Sequence, residues 1–137
     1  MTTENGGLMK ASGEFEVNLR PLRFYVQGND GIDLGRMSIN KTFKGDLVAT
    51  SKGEMLSTMT MVKGSAGYVA MELVSGTLGG KIGNFVLQHF GIMNHGEQRL
   101  ILEVVPDSGT RKLQGLSGKM SIDVVDGKHF YEFEYDL

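Results

Sequence analysis

The chain of 137 residues has no cysteine, only two prolines and three histidines. Without cysteine there can be no disulfide, no thiol nucleophile and no cysteine-type zinc site. The scarcity of proline, set against 20 glycines, points to many tight turns and short strands rather than to helices or a linker. No window sustains a helical apolar period, and no apolar run approaches the ~18 residues of a membrane helix. The opening MTTENGGLMK lacks the apolar core of a secretory signal, so the expected location is cytoplasmic, and the sequon Asn40-Lys41-Thr42 has no secretory context. A formal net charge of −2 with mixed signs gives no basic footprint for nucleic acid. No basic amphipathic helix argues for a membrane surface. Phosphate-loop, dinucleotide and nucleophile-elbow patterns are missing.

What is present is β-type patterning, clearest from Tyr68 to Gly91. Two runs rich in β-branched, aromatic and aliphatic residues flank Gly79-Gly80. A two-residue glycine connection between such runs predicts a hairpin, because a type I′ turn needs φ > 0 at both positions. Leu78 opposite Lys81 then sets the register. One face carries Tyr68, Ala70, Glu72, Val74, Phe85, Leu87 and His89, and the other carries Val69, Met71, Leu73, Val86, Gln88 and Phe90. Both faces are mostly apolar, so one should line a barrel interior and the other be covered by the N-terminal segment or a second subunit. Glu72 faces Leu87, which makes His89 its diagonal neighbour, within reach of two long side chains.

The remaining chain reads as a meander. Residues 1–12 are expected to form a flexible tail ahead of a single barrel domain over 13–137. Gly13–Leu19 alternates as a first strand; Arg20–Gly35, with Pro21 and Gly28-Asn29-Asp30-Gly31, reads as a loop or edge excursion. Strands are predicted over Met37–Phe43, in which Met37, Ile39, Lys41 and Phe43 share one face, over Leu47–Ser51, and, after Lys52-Gly53, over Glu54–Val62. Met93–Gly96 reads as a loop, Gln98–Val105 as a strand stopped by Pro106, and Leu113–Gly118 as a bulge or barrel corner. Asp126-Gly127 predicts a last type I′ hairpin that pairs Val124 with His129, Ile122 with Tyr131 and Met120 with Phe133. Its other face, with Asp123, Glu132 and Glu134, is acidic. About eight strands in this order, with no helix to cover a sheet, predict an all-β, antiparallel up-and-down barrel, since closure removes the exposed edges.

The words GYVAMELVSGTLGGKIGNFVLQHFG, VVPDSGT, LQGLSGKMSI and DGKHFYEFEYDL resemble an uncharacterised, mostly bacterial family known only as a domain of unknown function. That family is similar to the allene oxide cyclase barrels. The resemblance runs from Gly13 onward, is weakest over Arg20–Arg36, and implies an allene oxide cyclase-like barrel but no activity. Where this chain has Asp107 and Arg111, members of that family often have glycine.

Two functions from different classes fit these residues, and a third stays open. A barrel of ~8 strands has room for side chains or one small ligand. Met55, Met59 and Met71 are candidate lining for an apolar molecule, since thioethers adapt to varied shapes; Tyr68, Tyr131, His129 and Gln88 are further candidate contacts. Alternatively, Glu72 and His89 form an acid–base pair for an isomerisation or cyclisation, with a tyrosine donating to a substrate oxygen. The third is a ligand-free barrel that associates into a dimer or trimer through its outer apolar face. No cofactor is implied, and with His89, His95 and His129 not at ligand spacing no metal site is expected.

Overall fold

In a computed structural model, which describes residues 8–137, eight antiparallel strands close into a barrel in sequence order. They are β1 (Met9–Leu22), β2 (Asp33–Gly45), β3 (Leu47–Met59), β4 (Ala66–Leu78), β5 (Lys81–Asn94), β6 (Glu97–Val104), β7 (Ser117–Val125) and β8 (Lys128–Asp136). A single 3-10 turn, Arg111–Leu113, interrupts the connection between β6 and β7. The all-β antiparallel architecture is therefore the one the patterning implies, and no helix among the described residues is long and apolar enough to cross a membrane.

Turn chemistry sets the frame. Gly79 and Gly80 both have positive φ (55° and 81°), and Leu78 pairs with Lys81. Asp126 and Gly127 take the same geometry, with Val124 opposite His129 as the register requires. His95 and Gly96 do so as well, so Met93–Gly96 is not a loop: β5 runs to Asn94 and turns directly into β6.

Three boundaries differ from the sequence reading, each for a physical reason. Strand β1 begins at Met9 rather than Gly13, because Met9–Ser12 pair with Tyr135–Glu132 of β8; residues 1–7 of the expected tail lie outside the described residues. It also runs on through Pro21 to Leu22. Proline is tolerated there because β8 leaves β1 at Phe15 and only the β2 side of the ladder continues. Strand β3 passes through Lys52-Gly53 without a turn. A Cβ on Gly53 would stand 2.0 Å from the Met71 carbonyl oxygen, so this glycine serves a close strand crossing rather than a change of direction.

The core fills one end of the barrel. Phe43, Phe85, Phe133, Leu47, Leu78, Leu87 and Val74 are fully buried there, with Phe85 and Phe133 stacked at 5.8 Å. Leu113 and Leu116, from the segment expected to be a barrel corner, plug that end. The Ser108 and Thr110 hydroxyls accept the Val86 and Asn84 amides, so the loop takes over the β5 ladder where β6 stops. The opposite end is looser. Met37, Met55, Tyr68 and Met93, inward by alternation, are only half-buried, and β6 meets β7 through two residue pairs alone, Leu102 with Met120 and Glu103 with Lys119.

Candidate functional site

Above the apolar core, the inward row changes character. Lys41 of β2, Ser51 of β3, Glu72 of β4 and His89 of β5 are the buried polar residues among those described. Period-two alternation puts each of them inside, and the ladder brings them together: Lys41 pairs with Ser51, Gly53 with Glu72, and Ala70 with His89. The small residues Gly53 and Ala70 leave the space into which the longer side chains converge.

Glu72 is the hub. Its Oε1 accepts from Lys41 Nζ at 3.1 Å and from His89 Nε2 at 2.7 Å, and its Oε2 accepts a short hydrogen bond from the Ser51 hydroxyl. Burial alone would raise its pKa; the His89 hydrogen bond, the Lys41 charge and the Ser51 hydrogen bond outweigh that and hold the carboxyl below its ordinary value. The group is thus a carboxylate at neutral pH. Lys41 gains a second compensation, since its Nζ lies 4.7 Å from the Phe15 ring centroid. Among the described residues, no buried side-chain nitrogen or oxygen lacks a partner.

The hydrogen-bond directions follow from the charge. A carboxylate only accepts, so Nε2 of His89 carries its hydrogen toward Glu72. In the neutral imidazole Nδ1 is then an acceptor, and the Tyr68 hydroxyl, 3.1 Å away, donates to it. Tyr68 is the one half-buried member of the chain. Burial first, and then the Glu72 charge, raise its phenol pKa above the ordinary value, which keeps the proton on oxygen. Its ring lies against bare backbone: a Cβ on Gly91 would stand 2.4 Å from Tyr68 Cε1. The assembly is a relay from an interior carboxylate through an imidazole to a half-buried phenol at the looser end. Chemically, it can donate a hydrogen bond to a ligand oxygen or pass a proton across Tyr68 and His89.

The structure places the remaining candidates apart from this relay. Met55 is inward and half-buried beside Ala70, whereas Met59 stands exposed at the rim. Met71 and Gln88 point outward, as their alternation demands. His129 packs on Phe15 with ring centroids 5.1 Å apart. Tyr131 is committed elsewhere: its hydroxyl accepts the Leu47 amide at 2.9 Å and donates to the Lys44 carbonyl at 2.8 Å, clamping the β2–β3 turn. Lys41 and Ser51 join the site without having been singled out as site residues from sequence. Among the described residues, no three His, Asp or Glu side chains converge as a metal would require.

A family model described as "Protein of unknown function (DUF3224)" matches residues 11–135. A crystal structure of a protein with unknown function from the DUF3224 family of Shewanella oneidensis MR-1 is 56% identical, covers 93% of this chain and 96% of its own, and superposes with a TM-score of 0.91. No curated protein matches.

Proposed function

The chain belongs to the DUF3224 family of proteins of unknown function, and from that premise we propose that its looser barrel end holds a small, mostly apolar molecule that presents an oxygen to the Tyr68 hydroxyl. The observation that carries this reading is the end of the relay. Every deeper member is sealed and fully partnered, and the chain of hydrogen bonds stops at the one half-buried hydroxyl. Around it, half-buried Met37, Met55 and Met93 supply an adaptable apolar lining. Lys41 and Glu72 neutralise each other, so the interior favours an uncharged ligand group over an anion.

Native mass spectrometry of freshly purified protein, before and after denaturation, tests it. A mass excess lost on denaturation, and reduced in Tyr68→Phe, is expected. Equal masses for both samples would refute the reading and leave a barrel filled by its own side chains.

A second reading, proton transfer in an isomerisation or cyclisation, is favoured by one specific feature: the carboxylate fixes the imidazole tautomer and leaves Nδ1 as a base toward the phenol. Incubation of the loaded protein in D2O would distinguish the two. Deuterium appearing at carbon in the released molecule, and absent with His89→Gln, indicates turnover; no incorporation leaves a binding protein.

A further inference from the structure

The outside of the barrel is divided. Strands β7, β8 and the lower half of β1 show water a charged surface, with Glu14, Asp123, Glu132 and Glu134 exposed. Strands β3–β6 set an apolar stripe between their charges. The pairing aligns Leu56, Val69, Phe90 and Ile101 in one unbroken outward row across four strands, begun by Arg36 on β2. Met71 and Leu73 extend it along β4, and all six apolar side chains are exposed, Val69 to 48% and Met71 to 53%. Together they leave bare on the order of 500 Å² of apolar surface, near the upper end for a monomer. With its polar rim the face approaches the ~800 Å² per partner of a standard interface.

We infer that this face is the contact between two copies of the chain, related by a two-fold axis lying along the row. The charge pattern argues for a second copy. Arg36 ends the row and Arg99 flanks it on one side, stacking at 5.3 Å from the Phe90 centroid. The next outward row, on the other side, carries Glu54 and Glu103. A rotation about the row lays the cationic side of one copy on the anionic side of the other, with Arg99 meeting Glu103, while Val69 and Phe90 pack on their symmetry mates; Arg36, on the axis, is neutralised by Glu54 of its own chain at 2.7 Å. The same strands that present the row outward hold Tyr68, Glu72 and His89 inward. Association therefore stiffens the site from behind without adding a residue to it.

Sedimentation velocity of the full chain at ~50 μM, well above a micromolar Kd, tests this. The wild type should show twice the 15.0 kDa chain mass. Val69→Glu should sediment as a monomer with an unchanged far-UV circular dichroism spectrum, while Ser121→Glu on the charged side stays dimeric. Arg99→Glu should weaken the dimer by tenfold or more, and adding Glu103→Arg should restore it, a rescue that a merely hydrophobic association would not give. A monomeric or trimeric wild type, or a Val69→Glu protein still dimeric, would overturn the inference. So would a monomer that co-sediments with phosphatidylcholine vesicles, which would assign the face to lipid.

Discussion

Glu72 and Lys41 illustrate how a charge survives inside a barrel only in company. With Lys41 buried, Glu72→Gln removes the compensating charge and leaves an ammonium among Phe15, Phe43 and an amide. Such a change costs about 3–5 kcal/mol in urea unfolding, and adding Lys41→Met to it should recover most, since the Gln amide oxygen still accepts from His89 or Ser51. The carboxyl's pKa is lowered on folding. Its contribution is therefore fully present above the unfolded value of about 4.3 and is lost as pH falls through the folded one. Acid unfolding should steepen below about pH 4.3 in the wild type, and that component should vanish in the Lys41→Met, Glu72→Gln double variant. The histidine of this cluster was legible in the sequence because a two-residue turn fixes the β4–β5 register. The lysine was visible only as an oddity in an inward row with Met37, Ile39 and Phe43. No turn joins β2 to β4, so nothing local says that Lys41 reaches Glu72. Arg111 is the converse case, a residue whose backbone explains its neighbours in the family. Its φ is 54° and that of Asp107 is 62°, a region that costs an ordinary residue roughly 1–2 kcal/mol, and glycine is what the resembling family often has there. Arg111→Gly should raise stability by about 1 kcal/mol after the entropy cost of glycine, read as an upward shift of a few degrees in Tm.

At the scale of the element, the β4–β5 hairpin carries both the relay and the outward row, and its glycines have two separate duties. Gly79 and Gly80 make the turn; Gly91 makes room. Gly91→Ala leaves the ladder intact but sets a methyl group where the Tyr68 ring lies. The expected result is a displaced phenol: the loss of ligand retention expected for Tyr68→Phe, but with a larger drop in stability, about 1–3 kcal/mol from overpacking. Identical stability of the two variants would show that the ring has room to move. Turn glycines announce themselves in a sequence by their flanks. Glycines that serve a close approach, such as Gly53 and Gly91, look the same and were read as punctuation or passed over, because what they make room for lies on the neighbouring strand. Tyr131 is a related case: it lies on an inward row, as expected, and its hydroxyl bonds the β2–β3 turn, which no local pattern announces.

For the whole molecule, the decisive property is an uneven barrel. One end is packed with stacked aromatic rings and plugged by Leu113 and Leu116; the other is ringed by half-buried methionines above the polar relay. The strands confirm this division. β4 and β5 pair along their full length, from Ala66 with Met93 to Leu78 with Lys81, whereas β6 and β7 share two pairs, leaving 97–101 without β7 partners along that seam. The number of strands and their order were legible, since turns and alternation encode them. The seam was not, because it depends on how far two strands separated by a 12-residue connection continue side by side. Local opening should follow the weakest ladder. Amides of Glu97–Ile101 that face the seam are expected to exchange with solvent deuterium orders of magnitude faster than those of Ala70–Val74. A ligand held against Tyr68 would bridge the loose side of the barrel to the tight one, and its addition should slow exchange along the seam more than in the packed half. Uniform protection around the barrel would mean that β6 and β7 are held together as firmly as β4 and β5.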